Sequence, residues 1–197
     1  MIDVAIVDSG GANLASLQFA LERLGARSIV SSDPDRIARA PRVLLPGVGA
    51  AGDAMRRLRS AGLDRSIPRL QVPLLGICLG MQLLFEHSTE GDTPCLGVLP
   101  GQIERLPAAA DRPVPHMGWN TLQVRQEDPL LRGIGAEDYV YFVHSYVAPL
   151  TAGTLASSDY GGPFAAVVRK ENFRGVQFHP ERSAQVGARL LQNFLNL

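Results

Sequence analysis

Three residues in this chain could do chemistry together. Cys78 stands in Gly76-Ile77-Cys78-Leu79-Gly80-Met81-Gln82, and His179-Pro180-Glu181 lies far downstream. They supply a thiol nucleophile, an imidazole base and a carboxylate to orient the base. Gly-x-Cys-x-Gly between a strand and a helix is the nucleophile-elbow pattern with sulfur in place of oxygen. The turn must be sharp, and side chains at Gly76 and Gly80 would clash with it. It sets the sulfur at a helix N-terminus, where aligned N–H dipoles favour the thiolate. The N–H of Leu79 points to where a developing oxyanion would sit. In an extended segment, residues two apart face the same side, so His179 and Glu181 can point together while Pro180 stiffens the backbone between them. The order also discriminates: in ordinary α/β-hydrolases the acid precedes the histidine, whereas here it follows by two residues.

The other candidates read more plainly. Cys95, in Thr93-Pro94-Cys95-Leu96, has no elbow around it and is expected to be structural. His87 is expected to end a helix as a cap or surface residue. His116 and His144 fall in strand-rich segments with no His-x-x-x-His spacing and no cysteine cluster, so no metal site is expected. The run Arg56, Arg57, Arg59 is most simply a solvated helix face. The loop Ser9-Gly10-Gly11-Ala12 lacks the Gly-x-Gly-x-x-Gly spacing of a dinucleotide site.

The elements that must position the triad follow from periodicity. Residues 2–7 read as a buried strand, 13–24 as a helix stopped by Gly25, and 28–31 and 42–45 as strands. A helix is expected over 50–61, a buried strand over 72–77 and a helix over 79–86. This alternation predicts an α/β fold with a mainly parallel central sheet flanked by helices. The pattern then changes to short strands, over 102–105, 120–124, 139–145, 153–156, 164–169 and 175–178. An antiparallel extension of the sheet is expected there. A last helix over 183–195 closes it, and 1–197 reads as one domain.

Bulk composition excludes several classes. Of 197 residues, 46% are hydrophobic and 19% charged, with Lys+Arg and Asp+Glu equal at 19 each. Zero net charge gives no footing for a general nucleic-acid or membrane-surface binder. The first residues carry acids where a signal peptide would carry Lys or Arg, and the apolar run Val72–Met81 is too short to span a bilayer. Two cysteines suit a reducing cytosol, so a cytoplasmic protein is expected.

The elbow together with Gln177-Phe178-His179-Pro180-Glu181 resembles the class I, or triad, glutamine amidotransferases, over nearly the whole chain. More narrowly, four segments resemble the glutaminase-subunit family of imidazole glycerol phosphate synthases: Asp8 with Asn13-Leu14-Ala15-Ser16; Leu44-Leu45-Pro46-Gly47-Val48-Gly49-Ala50; Pro115-His116-Met117-Gly118-Trp119-Asn120; and Tyr141-Phe142-Val143-His144-Ser145-Tyr146. The resemblance implies a class I amidotransferase fold with a flavodoxin-like core, glutamine as substrate, no cofactor, and a Cys78–His179–Glu181 triad. It implies an oxyanion hole from Leu79 with Gly47 and Val48, and substrate contacts from Gly49, Gln82, Ser145 and Tyr146. It implies a separate (β/α)8-barrel cyclase subunit as partner, met through Asn13, Trp119, Asn120 and Arg182. Gly47 and Gly49 permit a peptide to turn over, so the hole is expected to stay misformed until the loaded cyclase docks. Two departures touch the interface: the loop Ser9-Gly10-Gly11-Ala12, and Arg182 where Lys is common.

Three alternatives stay open. A sister glutaminase serving pyridoxal phosphate synthesis would carry a Gly-Gly-Glu-Ser type loop in place of Pro46-Gly47-Val48-Gly49. A cysteine peptidase on a similar sheet leaves Gln82 and the adjacent His-Pro-Glu unexplained. A non-catalytic binding subunit would have lost one of Cys78, His179 and Glu181.

Overall fold

A computed structural model describes residues 2–10, 14–110 and 112–197. The first half alternates strand and helix: β1 (Val4–Val7), α1 (Leu14–Arg23), β2 (Ser28–Ser31), α2 (Pro34–Ala38), β3 (Val43–Gly47), α3 (Ala51–Ser60), α4 (Leu63–Ser66), β4 (Leu74–Cys78) and α5 (Leu79–Gln82). Short strands follow: β5 (His87–Ser88), β6 (Thr93–Pro94), β7 (Gln102–Arg105), β8 (His116–Thr121), β9 (Gln123–Val124), β10 (Tyr139–His144) and β11 (Tyr146–Val147). The chain finishes with β12 (Thr154–Asp159), β13 (Pro163–Lys170), β14 (Phe173–Val176) and α6 (Ala184–Leu195).

The main sheet has eight strands in the order β2-β1-β3-β4-β14-β13-β12-β9. Its first five pair in parallel, and β13, β12 and β9 add to it antiparallel. The parallel strands carry side chains to two cores. In β1, Ala5 and Val7 pack on the face with α3, and Val4 and Ile6 on the face with α1 and α6. Burial on both faces is what makes these strands read as continuous apolar runs. The five parallel strands follow the flavodoxin-like order, whose sites gather at the carboxyl ends of the strands. Two small sheets stand beside the main one: β10 with β8, and β11-β7-β5-β6.

Several expectations need correcting. The helix expected over 79–86 stops as α-helix at Gln82, and Leu84 and Phe85 continue as tighter turns by donating to the carbonyls three residues back. His87 therefore caps no helix; it sits in β5 with Nε2 3.0 Å from the Asp92 carboxylate. The strand expected over 120–124 begins at His116 and breaks at Leu122, which turns wholly inward. The strand expected over 175–178 ends at Val176, where pairing with β4 ends. The helices α2 and α4 were not foreseen, being too short to show a period. The arginine face of α3 is solvated as expected, with Arg56, Arg57 and Arg59 all exposed, and Arg57 also donates to the Ser9 carbonyl and Arg59 to that of Pro94. Among the described residues, no helix is long and apolar enough to cross a membrane.

Candidate active site

The site sits at the carboxyl ends of β3 and β4. Gly47 pairs with Cys78, the last residue of β4. Cys78 has φ 54 and ψ −113, a left-handed backbone that non-glycine residues rarely adopt. The strain persists because the surroundings allow nothing else. A Cβ on Gly80 would lie 1.7 Å from the Leu45 carbonyl oxygen, and one on Gly76 would lie 2.7 Å from that of Gly80. The glycines flanking the sulfur thus let α5 lie directly against β3, a closer reason than the expected clash with the turn itself.

The acid–base pair is built by a different device. The chain leaves β14 at Val176, and the His179 N–H donates to the Tyr141 carbonyl at 3.0 Å. Buried Ser183 then donates from Oγ to the His179 carbonyl at 2.7 Å and accepts the Tyr141 N–H at 3.0 Å. The His-Pro-Glu turn is thereby tied to β10. His179 Nδ1 lies 2.8 Å from Glu181 Oε1. A carboxylate only accepts, so Nδ1 carries the proton and Nε2 is left as the base. That Nε2 is buried without a hydrogen-bond partner, as is Glu181 Oε2. Burial works against a charged His179, but Cys78 and Glu181 outweigh it and hold the imidazole above its ordinary value.

One cavity of about 390 Å³ brings together most of the residues foreseen. Cys78, His179 and Glu181 line it, with Leu79, Gly47, Val48, Gly49, Gln82, Ser145, Tyr146 and Arg182. Its size suits a small polar metabolite. Gly49 has φ +88 with open space at its α-carbon, so the backbone there is free to turn. Gly47 is not: a Cβ on it would meet the Gly80 nitrogen at 2.9 Å, so its glycine serves close approach instead of mobility. The Ser145 carbonyl accepts from Leu106 N–H at 2.9 Å, and the Tyr146 carbonyl from Gln82 Nε2 at 2.9 Å. Both carbonyls are thus committed to the protein.

The interface expectations divide. Trp119 is 53% exposed, which decides against simple core packing. Arg182 stacks its guanidinium 4.7 Å from the Tyr141 ring. Asn120 is occupied within the chain, donating to the Asp159 carbonyl and accepting the Thr121 N–H, both at 2.8 Å. Trp119 and Asn120 lie outside the cavity lining, and Asn13 falls outside the described residues.

Sequence reasoning missed three groups. Glu90 lines the cavity and accepts the Ala51 N–H at 2.8 Å, capping α3, whose own N-cap is an alanine. Thr89-Glu90-Gly91-Asp92 reads only as a turn, so no signal pointed to it. Gln177 is fully buried beside the sulfur. His116 and His144, dismissed as a metal pair by their spacing, meet ring to ring with Nδ1 of the first 3.0 Å from Nε2 of the second. Among the described residues, no three His, Cys, Asp or Glu side chains gather as a metal site. Cys95 is half-buried, and burial pushes its thiol up to about 11, against the pull of Arg59, which leaves it inert.

Comparison with known proteins agrees with this geometry. The family model for glutamine amidotransferase class-I matches residues 5–197. The imidazole glycerol phosphate synthase subunit HisH of Xanthomonas campestris pv. campestris (strain 8004) is 55% identical over 197 residues, covering 100% of this chain and 98% of that protein. The subunit of the same name from Xylella fastidiosa (strain Temecula1) is 54% identical with the same coverage. Among solved structures, a glutamine amidotransferase superposes with TM-score 0.76 at 23% identity, covering 98% of this chain and 97% of its own. A chain of PurLQS from Thermotoga maritima gives 0.75 at 21%, covering 100% and 99%. At such identities the last two are similar in fold alone.

Proposed function

The chain belongs to the class-I glutamine amidotransferase family, and from that premise we propose that it is the glutaminase subunit of an imidazole glycerol phosphate synthase, acting in the cytoplasm. Glutamine enters the cavity with its carboxamide at Cys78. The sulfur attacks the amide carbon as its proton passes to His179 Nε2, and Glu181 steadies the imidazolium. The tetrahedral oxyanion is held by the Leu79 N–H and by a backbone N–H of the Gly47-Val48 segment. Collapse breaks the C–N bond, and the His179 proton leaves with ammonia. Water, deprotonated by the same imidazole, cleaves the thioester, releases glutamate and returns the sulfur. The substrate's α-carboxylate meets main-chain N–H of the Ser145-Tyr146 segment, and its α-ammonium the free oxygen of Glu90, whose sign suits it.

Free ammonia protonates in water and stops being a nucleophile, so it must pass directly to an acceptor. The proposed acceptor site is on a separate (β/α)8-barrel cyclase subunit, which forms imidazole glycerol phosphate and aminoimidazole carboxamide ribotide in histidine biosynthesis. That subunit would dock on the face carrying Trp119 and Arg182. Until it docks with its nucleotide bound, the Val48-Gly49 peptide leaves the oxyanion hole incomplete. The observation that carries the catalytic reading is the His179–Glu181 contact of 2.8 Å in one cavity with a left-handed Cys78. The test is glutamate release by the purified chain, alone and with the cyclase plus its nucleotide ligand, with Cys78→Ser as blank. Low activity alone, a large rise with the loaded cyclase and none in the blank is expected. Full activity without the cyclase would sink the gating and reassign the pathway, and no activity under any condition would return the chain to the binding-subunit alternative.

A further inference from the structure

The hydrogen bonds around Cys78 fix the orientation of two buried amides. The Tyr146 carbonyl can only accept, so the group of Gln82 that lies 2.9 Å from it must be the NH2. That nitrogen has a second hydrogen, and its other neighbour, at 3.0 Å, is the Gln177 side chain. Gln177 must therefore turn its oxygen towards Gln82. Its own NH2 is left facing Cys78, with Nε2 3.7 Å from Sγ. Reversing either amide would set nitrogen against nitrogen or oxygen against oxygen in a fully buried place, at a cost no neighbour offsets. A further polar neighbour of the sulfur, the Val143 carbonyl at 3.8 Å, can accept only from a thiol.

We propose that Gln177 is a positioning residue for the nucleophile, presenting an N–H donor to the Cys78 sulfur as its proton passes to His179, and that Gln82 sets its orientation from the Tyr146 carbonyl. The inference rests on Cys78 being the nucleophile of the proposed function. It also changes the part played by Gln82. Its nitrogen is spent on the protein and anchors the Tyr146 segment, which leaves its oxygen for substrate. The arrangement joins the strand that meets substrate to the atom that attacks it.

The donor's effect is read by alkylation. Iodoacetamide labelling of Cys78 is followed by mass spectrometry across pH, with Cys95 as the internal reference. Gln177→Met keeps length and burial but offers no donor. Its alkylation midpoint is expected to rise by about one pH unit, the worth of one hydrogen bond to a charged group. At pH 7, kcat would fall about tenfold with KM nearly unchanged. Gln177→Glu keeps the shape and the Gln82 contact while replacing the donor by an acceptor; it should raise the midpoint further, and it carries the test if the methionine variant fails to fold. A purely structural role would change melting temperature and labelling amplitude without moving the midpoint. An unmoved midpoint in either folded variant overturns the inference. A wild-type Cys78 no more reactive than Cys95 would instead overturn the nucleophile assignment beneath it.

Discussion

At the scale of single residues, the site is surrounded by neutral polar groups that hold charge in one place. His144 Nδ1 lies 3.0 Å from the Tyr146 carbonyl, so that nitrogen carries the proton and Nε2 accepts from His116 Nδ1. Burial lowers His116 to about 4. Burial, reinforced by the charge His116 would carry and opposed by the Tyr146 hydrogen bond, lowers His144 to about 3. Both rings are then neutral in the fold, while the unfolded chain takes protons below pH 6.5. Their contribution is fully present above pH 6.5 and is lost as pH falls from there towards 4 and 3. His179 adds no slope in that window, because its raised value places its own loss on the alkaline side. Each ring can cost up to about 1.4 kcal/mol per pH unit. Urea unfolding at pH 7, 6 and 5 should therefore show steep acid destabilisation. His144→Asn, whose amide can still donate to Tyr146, should flatten it; an unchanged slope would show that the pair does not titrate as its burial requires.

At the scale of elements, the site is made by close contacts between backbones, and this decides what a substitution does. Gly187 lies inside α6, where helix propensity alone predicts that alanine would stabilise by about 1 kcal/mol. Yet a Cβ there would lie 1.9 Å from the Pro180 carbonyl oxygen. Helix α6 would have to move off the turn that aims His179. Gly187→Ala is expected to destabilise by about 1–3 kcal/mol and to lower kcat well beyond that loss, whereas Gln185→Ala on the exposed side of α6 should leave melting unchanged. A Gly187→Ala variant as stable and active as the parent would remove α6 from the account of the triad. The same contrast explains what the sequence could tell. The elbow and His-Pro-Glu are local patterns, each readable within a few residues, and the parallel core shows through strands buried on both faces. Helix α2 carries an Asp33 cap and Pro34, but five residues span too few turns to show a period. Glu90, and the contact of Gln82 with Gln177 across 95 residues, exist only once the sheet has formed. No spacing encodes them.

At the scale of the whole molecule, the ribbon of β8 and β10 presents two unlike faces. Its inner face carries His116, Val140, Phe142 and His144 into the core. On its outer face Trp119 stands opposite Tyr141 and Met117 opposite Val143. Met117 is 67% exposed and Tyr139 57%, beside Trp119. The solvated face of an antiparallel pair is ordinarily polar, so an aromatic and methionine face marks contact with another protein. Arg182, stacked on Tyr141, also lines the catalytic cavity, so a partner seated here would close over the mouth through which ammonia must leave. Trp119 has the size and exposure of an anchor. Its replacement by alanine should weaken binding of the proposed cyclase subunit about thirtyfold, near 2 kcal/mol, measured by isothermal titration calorimetry. Asn120 is its neighbour on the same strand, but its amide is spent on Asp159 and Thr121. Asn120→Ala should therefore lower the melting temperature and change binding by less than about threefold. Equal losses of affinity at both positions would mean that the partner reads the edge of the ribbon instead of its aromatic face, and a loss at neither would move the docking surface elsewhere on the molecule.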